Sequence, residues 1–257
     1  MWNRAPNADE AAAGMLAACE AISRGRVGAW RDVRQGLVGL MTTVPGRPYN
    51  GMYGLDRTAT PEDASGLAVR LAASGVSWAA RLRPSVPDEV DEALSDMGLF
   101  AEDEILLMAT SLVTHEVQGQ ELPGLTLSTR RAQDDLAITE VLGAVFGTPP
   151  ANATKLLDPA HLKCDEIQWH LGKVDGVLVS CAMSVVAAEA VGIFAVGTVA
   201  EACGNGYGSA VTLRALTHGL TGGARFGVLT ASPEVQGVYE RLGFTVLERW
   251  RRLVPSL

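Results

Sequence analysis

Val191–Ser209 reads VGIFAVGTVAEACGNGYGS, an apolar run that passes into closely spaced glycines. The apolar part predicts a strand over 191–199. Val211, Leu213, Leu216 and Leu220 then recur at helical spacing, which predicts a helix over 207–220. Between them lies Gly204-Asn205-Gly206-Tyr207-Gly208-Ser209, with three glycines in five residues. Alternate glycines let the main chain turn tightly and aim several N–H groups into one concavity. The helix start behind them adds partial positive charge, so the junction suits a pyrophosphate without any catalytic side chain. A plain flexible loop is the bland alternative, and three glycines at this junction argue against it. A dinucleotide site is a second alternative that fails on two counts. Position 209 is Ser209 where that pattern needs glycine or alanine, and no acidic residue ends the next strand around 227–232.

The second informative stretch is Ser232–Phe244, SPEVQGVYERLGF. Ser-Pro opens a predicted helix over 233–242, Gly243 closes it, and Tyr239 sits in its last turn. Taken alone, Tyr239 reads as an amphipathic residue at a helix–sheet seam. Its position 31 residues after Gly208 leaves room for one helix and one strand between the two elements.

With both stretches in order, the chain resembles the GNAT-type N-acetyltransferases. Cys203-Gly204-Asn205-Gly206-Tyr207-Gly208 matches their Arg/Gln-x-x-Gly-x-Gly/Ala loop, and Tyr239-Glu240-Arg241-Leu242-Gly243-Phe244 matches their Tyr-x-x-x-Gly-Phe element. The resemblance spans about 125–257 and implies a mixed α/β sheet with acetyl-CoA as co-substrate, an amine acceptor and no metal. It implies that the strand before the loop splays from its neighbour and pairs with the pantetheine arm through Val196 and Thr198. The amides from Gly204 to Ser209 then hold the pyrophosphate, and Tyr239 protonates the leaving thiolate. Glu189 is the first carboxylate to consider as a base, with Glu166 and His170 behind it; for each, a solvated or merely hydrogen-bonded side chain is the competing reading. Two positions depart from the pattern. Cys203 stands where the family has Arg or Gln, removing a side-chain contact to the phosphates, and Ser232 stands where many members have Asn. A non-catalytic acyl-CoA sensor and transfer of another acyl group are the alternative functions.

Composition sets outer limits. The 257 residues are 47% hydrophobic and 19% charged, with a net charge of −8. That acidity makes nucleic acid and anionic membranes poor partners. No apolar run approaches the ~20 residues of a membrane span. Cys19, Cys164, Cys181 and Cys203 show neither CxxC nor metal-like spacing, which fits reduced thiols in a cytoplasmic protein. Oligomeric state and the acceptor's identity are not written in these features.

The front of the chain predicts a helix over 8–24, strands over 37–43 and 49–55, and a helix from Pro61 capped by Thr60. A strand over 76–82, a helix over 87–97 and a strand over 104–113 follow. The polar stretch 118–124 reads as a linker between a 1–117 domain and the 125–257 acetyltransferase-like domain. The strand–helix–strand–helix–strand order of the front echoes the rear and suggests a degenerate copy. Its loop, 56–61, contains no glycine and so cannot cradle a pyrophosphate in the same way; an unrelated α/β cap is the alternative.

Overall fold

A computed structural model describes residues 4–112 and 122–256. Positions 118–121 of the expected linker lie outside the described residues. The chain forms two compact units. Unit 1 comprises Met1–Ala18, Ala109–Leu229 and Gly237–Thr245; unit 2 comprises Cys19–Met108, Thr230–Gln236 and Val246–Leu257. Among the described residues no helix is long and apolar enough to cross a membrane.

Unit 1 is built on β6 (Leu125–Thr129), β7 (Ile167–Val174), β8 (Val177–Ala187), β9 (Ala190–Thr198) and β10 (Phe226–Ala231). They lie in the order β10-β9-β8-β7-β6. Consecutive strands from β6 to β9 are antiparallel, as short connections dictate, and β10 runs parallel to β9. The parallel return needs a crossover, and α6 (Tyr207–Thr221) supplies it. Val211, Ala215 and Leu216 of α6 are fully buried. A Cβ on Gly219 would lie 2.3 Å from Val191, so α6 and β9 approach closer than any side chain there permits. The opposite face carries α4 (Asp135–Phe146) and the start of α1 (Ala8–Ser23). A Cβ on Gly192 would meet Ala18, and one on Gly197 would meet Val145 and Phe146. The sheet is thus covered on both faces, as expected for a mixed α/β fold.

Unit 2 holds β1 (Trp30–Arg34), β2 (Leu37–Met41), β3 (Gly51–Gly54), β4 (Ala79–Leu82), β5 (Leu99–Ser111) and β11 (Thr245–Pro255). Their order is β1-β2-β3-β4-β11-β5. The chain's last strand thus pairs with β4, Arg251 opposite Leu82. Helices α2 (Pro61–Ala72) and α3 (Asp88–Asp96) cover this sheet, with Leu67, Leu71, Val90 and Leu94 in a core shared with Leu37, Met52 and Leu82. Thr60 caps α2 as expected, its hydroxyl accepting from the Asp63 amide at 3.2 Å. Arg83 grips Glu248 of β11 with two bonds of 2.9 Å, a planar fork on a carboxylate.

Sequence reading misses β1, because WRDVR carries three charges; they sit on a sheet edge, where charge guards against stray pairing. It also misses the short helix α5 (Pro150–Leu156). β5 starts at Leu99, five residues before the expected start, because the residues after Leu99 are mostly exposed and include the acidic Glu102, Asp103 and Glu104. The predicted 233–242 helix is a 3-10 turn, Pro233–Val235, followed by the single turn α7 (Gln236–Glu240).

Candidate active site

Strand β9 carries the local geometry of interest. Against β8 its register slips: Met183 faces Phe194 and Cys181 faces Gly197, so Ala182 meets two residues, Ala195 and Val196. That is a β-bulge, and Ala195 adopts φ 50°, left-handed for a non-glycine residue. A bulge releases main-chain groups from the ladder and re-aims them. On its other side β9 pairs with β10 only from Ala190 to Gly192, opposite Phe226 to Val228. Beyond Gly192, among the described residues, β9 has no ladder partner on that side. The two parallel strands therefore part just ahead of the bulge.

The parted strand ends in the glycine loop. Gly204 and Gly206 both take left-handed φ values, 83° and 81°, which glycine adopts without strain. Gly206 is the cap residue of α6, and no side chain caps this helix. Among the described residues, the amides from Gly204 to Ser209 meet no acceptor in the chain. A 15-residue helix thus opens with free donors and its positive dipole end. Side chains shape the turn instead of filling it. Asn205 donates through Nδ2 to the Ala202 carbonyl at 3.1 Å, and the exposed Cys203 thiol lies 3.5 Å from the Val199 carbonyl. Thr198 is pinned by Ser180, their hydroxyls 2.9 Å apart, and a Cβ on Gly208 would come within 3.1 Å of Thr198 Oγ1. Tyr207 and Ser209 stand half-buried in the first turn.

Tyr239 lies in the last turn of α7, its ring edge-on to Phe244 at 5.9 Å. Phe244 and Leu216 of α6 meet on the same side of Gly227 in β10. Tyr239 therefore stands on the α6 face of unit 1. Burial pushes its phenol up to about 12, so it keeps its proton at neutral pH.

The other expected residues fall elsewhere. Glu189 occupies the two-residue turn before β9 and pairs with Arg225 at 2.7 Å, its side chain 58% exposed. Seven residues of strand separate it from Val196, roughly 20 Å. Glu189 thus forms a solvated ion pair at the end of β9 away from Val196. Glu166 accepts from the Cys164 thiol at 2.8 Å. His170 is buried beneath α6, its Nε2 2.8 Å from Ser184 Oγ, and burial followed by His218 and Arg214 pushes it down to about 3. Ser232 belongs to unit 2, where it precedes the 3-10 turn and its hydroxyl donates to Glu234. Sequence reasoning missed the bulge itself, since alanine gives no signal for a left-handed residue.

No protein-family model and no curated protein sequence matches the chain. Solved structures do. A GCN5-related N-acetyltransferase from Kribbella flavida superposes with a TM-score of 0.72 at 20% identity, covering 96% of each chain. The fold is that of the GCN5-related N-acetyltransferases. Another such GNAT, from Sphaerobacter thermophilus, gives a TM-score of 0.62 at 20% identity over 98% of this chain and 94% of its own. A tandem GNAT protein from the clavulanic acid biosynthesis pathway gives 0.55 at 14% identity, over 75% and 69%. Within this GNAT fold, β9, the glycine loop, α6, β10, α7 and β11 follow in the order the two sequence motifs require.

Proposed function

We propose that the protein transfers an acetyl group from acetyl-CoA to an amine by direct attack in a ternary complex. One observation carries this reading: β9 parts from β10 just ahead of a bulge and runs into an uncapped helix start ringed by free amides. The pyrophosphate would lie on the amides of Gly204 to Ser209, with the pantetheine arm along the open edge of β9 beside Val196 and Thr198. A bulge N–H near Val196 would donate to the thioester oxygen as charge develops there. The amine nitrogen forms the new C–N bond, the C–S bond breaks, and Tyr239 gives its proton to the leaving thiolate. The proton shed by the amine leaves through water and restores Tyr239. Much of the gain is positioning, which needs no strong base beside the amine.

We read unit 2 as a degenerate copy that binds no cofactor. It repeats the order strand, helix, strand, helix, strand, but β3 and β4 stay paired along their whole length, Gly51 to Gly54 opposite Ala79 to Leu82.

The test is thiol release from acetyl-CoA with a panel of amines, alongside calorimetric titration of coenzyme A. Binding of one equivalent per chain and amine-dependent release are expected. Tyr239→Phe should lower kcat by about 10²–10⁴ while binding persists. Undiminished release in that variant removes Tyr239 as the acid. Binding with no turnover across the panel favours a sensor, and a product carrying another acyl group in mass spectrometry redirects the donor.

A further inference from the structure

The two faces of β9 meet different neighbours just past the bulge. Thr198 faces α6, since its Oγ1 lies 3.1 Å from where Gly208 would carry a Cβ. Gly197 faces the opposite way, and a Cβ there would lie 3.2 Å from both Phe146 Cε2 and Val145 Cγ1 of α4. Alternation along a strand makes these opposite sides of the sheet. The free amides of the loop and Tyr239 belong to the α6 side. On the proposed reading the cofactor's phosphates occupy that side, so a second substrate reaches the bulge from the α4 side. There stands Phe146, the last residue of α4, 51% exposed. A lone exposed phenyl is ordinary on a protein surface. This one rests on the segment between the two residues expected to pair with the pantetheine arm, at a glycine that leaves room for it. α4 ends at that point because Gly147 turns the chain with φ 62°, which fixes the ring at the rim of the parted strands.

We propose that Phe146 forms an apolar wall of the acceptor subsite, and that the acceptor is an amine carrying an aromatic or aliphatic group next to its nitrogen. This rests on the acetyl-transfer reading. A flat apolar substituent covers the exposed ring and the neighbouring Val145, whereas a hydroxylated one gains nothing there. Charge offers no competing selection at this wall, because Phe146, Val145 and Gly197 are all uncharged.

The experiment compares 2-phenylethylamine with ethanolamine as acceptors of the whole protein, with acetyl-CoA as donor. The phenyl amine should show kcat/KM roughly tenfold or more above the hydroxylated one. Phe146→Ala should erase most of that ratio by raising KM for the phenyl amine, with KM for acetyl-CoA unchanged. Phe146→Leu should restore part of it, and melting temperatures of both variants exclude a folding defect. Equal losses for both amines, or a shift in KM for acetyl-CoA instead, overturn the proposal. If coenzyme A fails to bind in calorimetry, the acetyl-transfer reading falls and takes this one with it. If coenzyme A binds and ethanolamine is preferred, this inference falls alone. If neither amine turns over, 2-phenylethylamine must still bind the coenzyme A complex; no heat of binding overturns the inference.

Discussion

His170 should make unit 1 sensitive to mild acid, and the size of the effect follows from its surroundings. The side chain is 2% exposed, and its Nε2 touches Ser184 Oγ at 2.8 Å. Ser184 Oγ in turn lies 2.8 Å from His218 Nδ1, and His218 Nε2 lies 2.9 Å from the Asp165 carbonyl. That carbonyl can only accept, so His218 donates to it from Nε2, while the Ser184 hydroxyl lies between the two rings and also reaches the Gln168 carbonyl at 3.3 Å. His170 Nδ1 is left bare in the interior, with no partner. A second proton there would create a buried charge beside His218 and Arg214, and its pKa falls accordingly from 6.5 to about 3. The sign follows. Below pH 6.5 the unfolded chain takes up a proton that the folded chain refuses until about pH 3, so stability is lost as pH falls through that window. The full span corresponds to about 5 kcal/mol, and about 2 kcal/mol is already lost at pH 5. Carboxylates held low by ion pairs, such as Asp32 beside Arg34 and Arg70, lose stability in more acid solution. The comparison is His170→Gln, which keeps a donor toward Ser184 and cannot titrate. Urea unfolding followed by circular dichroism between pH 8 and 5 should show the wild type losing about 2 kcal/mol more than the variant. Parallel pH profiles for the two proteins would refute the reasoning.

Three further substitutions test the packing and the loop. Gly219→Ala pushes a methyl into Val191, 2.3 Å away, and should cost about 1–3 kcal/mol of stability in urea. Gly206→Ala keeps the sequence small but forces a left-handed alanine at φ 81°, straining the loop by about 1–2 kcal/mol; calorimetry should find coenzyme A bound more weakly, with unit 2 unaffected. Cys203→Arg returns a cationic side chain to the loop and should tighten coenzyme A roughly tenfold, an effect that added salt diminishes.

Much of unit 1 was legible because its signals are local. Glycines at 204, 206 and 208 announce a turn whatever surrounds them, and Asp175-Gly176 announces the β7–β8 hairpin that the structure contains. Thr60-Pro61 fixed the start of α2 in the same way. What stayed hidden depends on distant partners. Ala195 is forced left-handed by the register of β8, and nothing in its neighbours along the chain reports that. Trp30–Arg34 looks like a charged loop until a sheet edge is available to it. Glu189 is near β9 in sequence, and strand direction places it at the end away from Val196. Nothing along the chain distinguishes Phe146 from other apolar residues, because its contact with Gly197 is a tertiary fact.

The two strand-to-helix loops differ in what they offer a phosphate. After β9, glycine leaves the donors empty: no side chain caps α6, and Asn205 turns back onto Ala202. After β3, the same topological position is filled from within. Asp56 accepts from the Thr58 amide at 2.8 Å, the Asp56 carbonyl accepts from the Ala59 amide at 3.2 Å, and Thr60 accepts from the Asp63 amide. Asp56 is held below the usual carboxylate range by those bonds to Thr58, so the charge is permanent near neutral pH. Glu62 and Asp63 add more negative charge in the first turn of α2. An incoming phosphate would find its donors already used and carboxylates in its place, and the like charge would repel it. Replacing Asp56 by glycine would free the Thr58 amide yet leave Thr60, Glu62 and Asp63 at the helix start. Coenzyme A titrated into Asp56→Gly should therefore still bind once per chain. A second equivalent would mean that occupation of the donors, and not the closed β3–β4 pair, is what silences this unit.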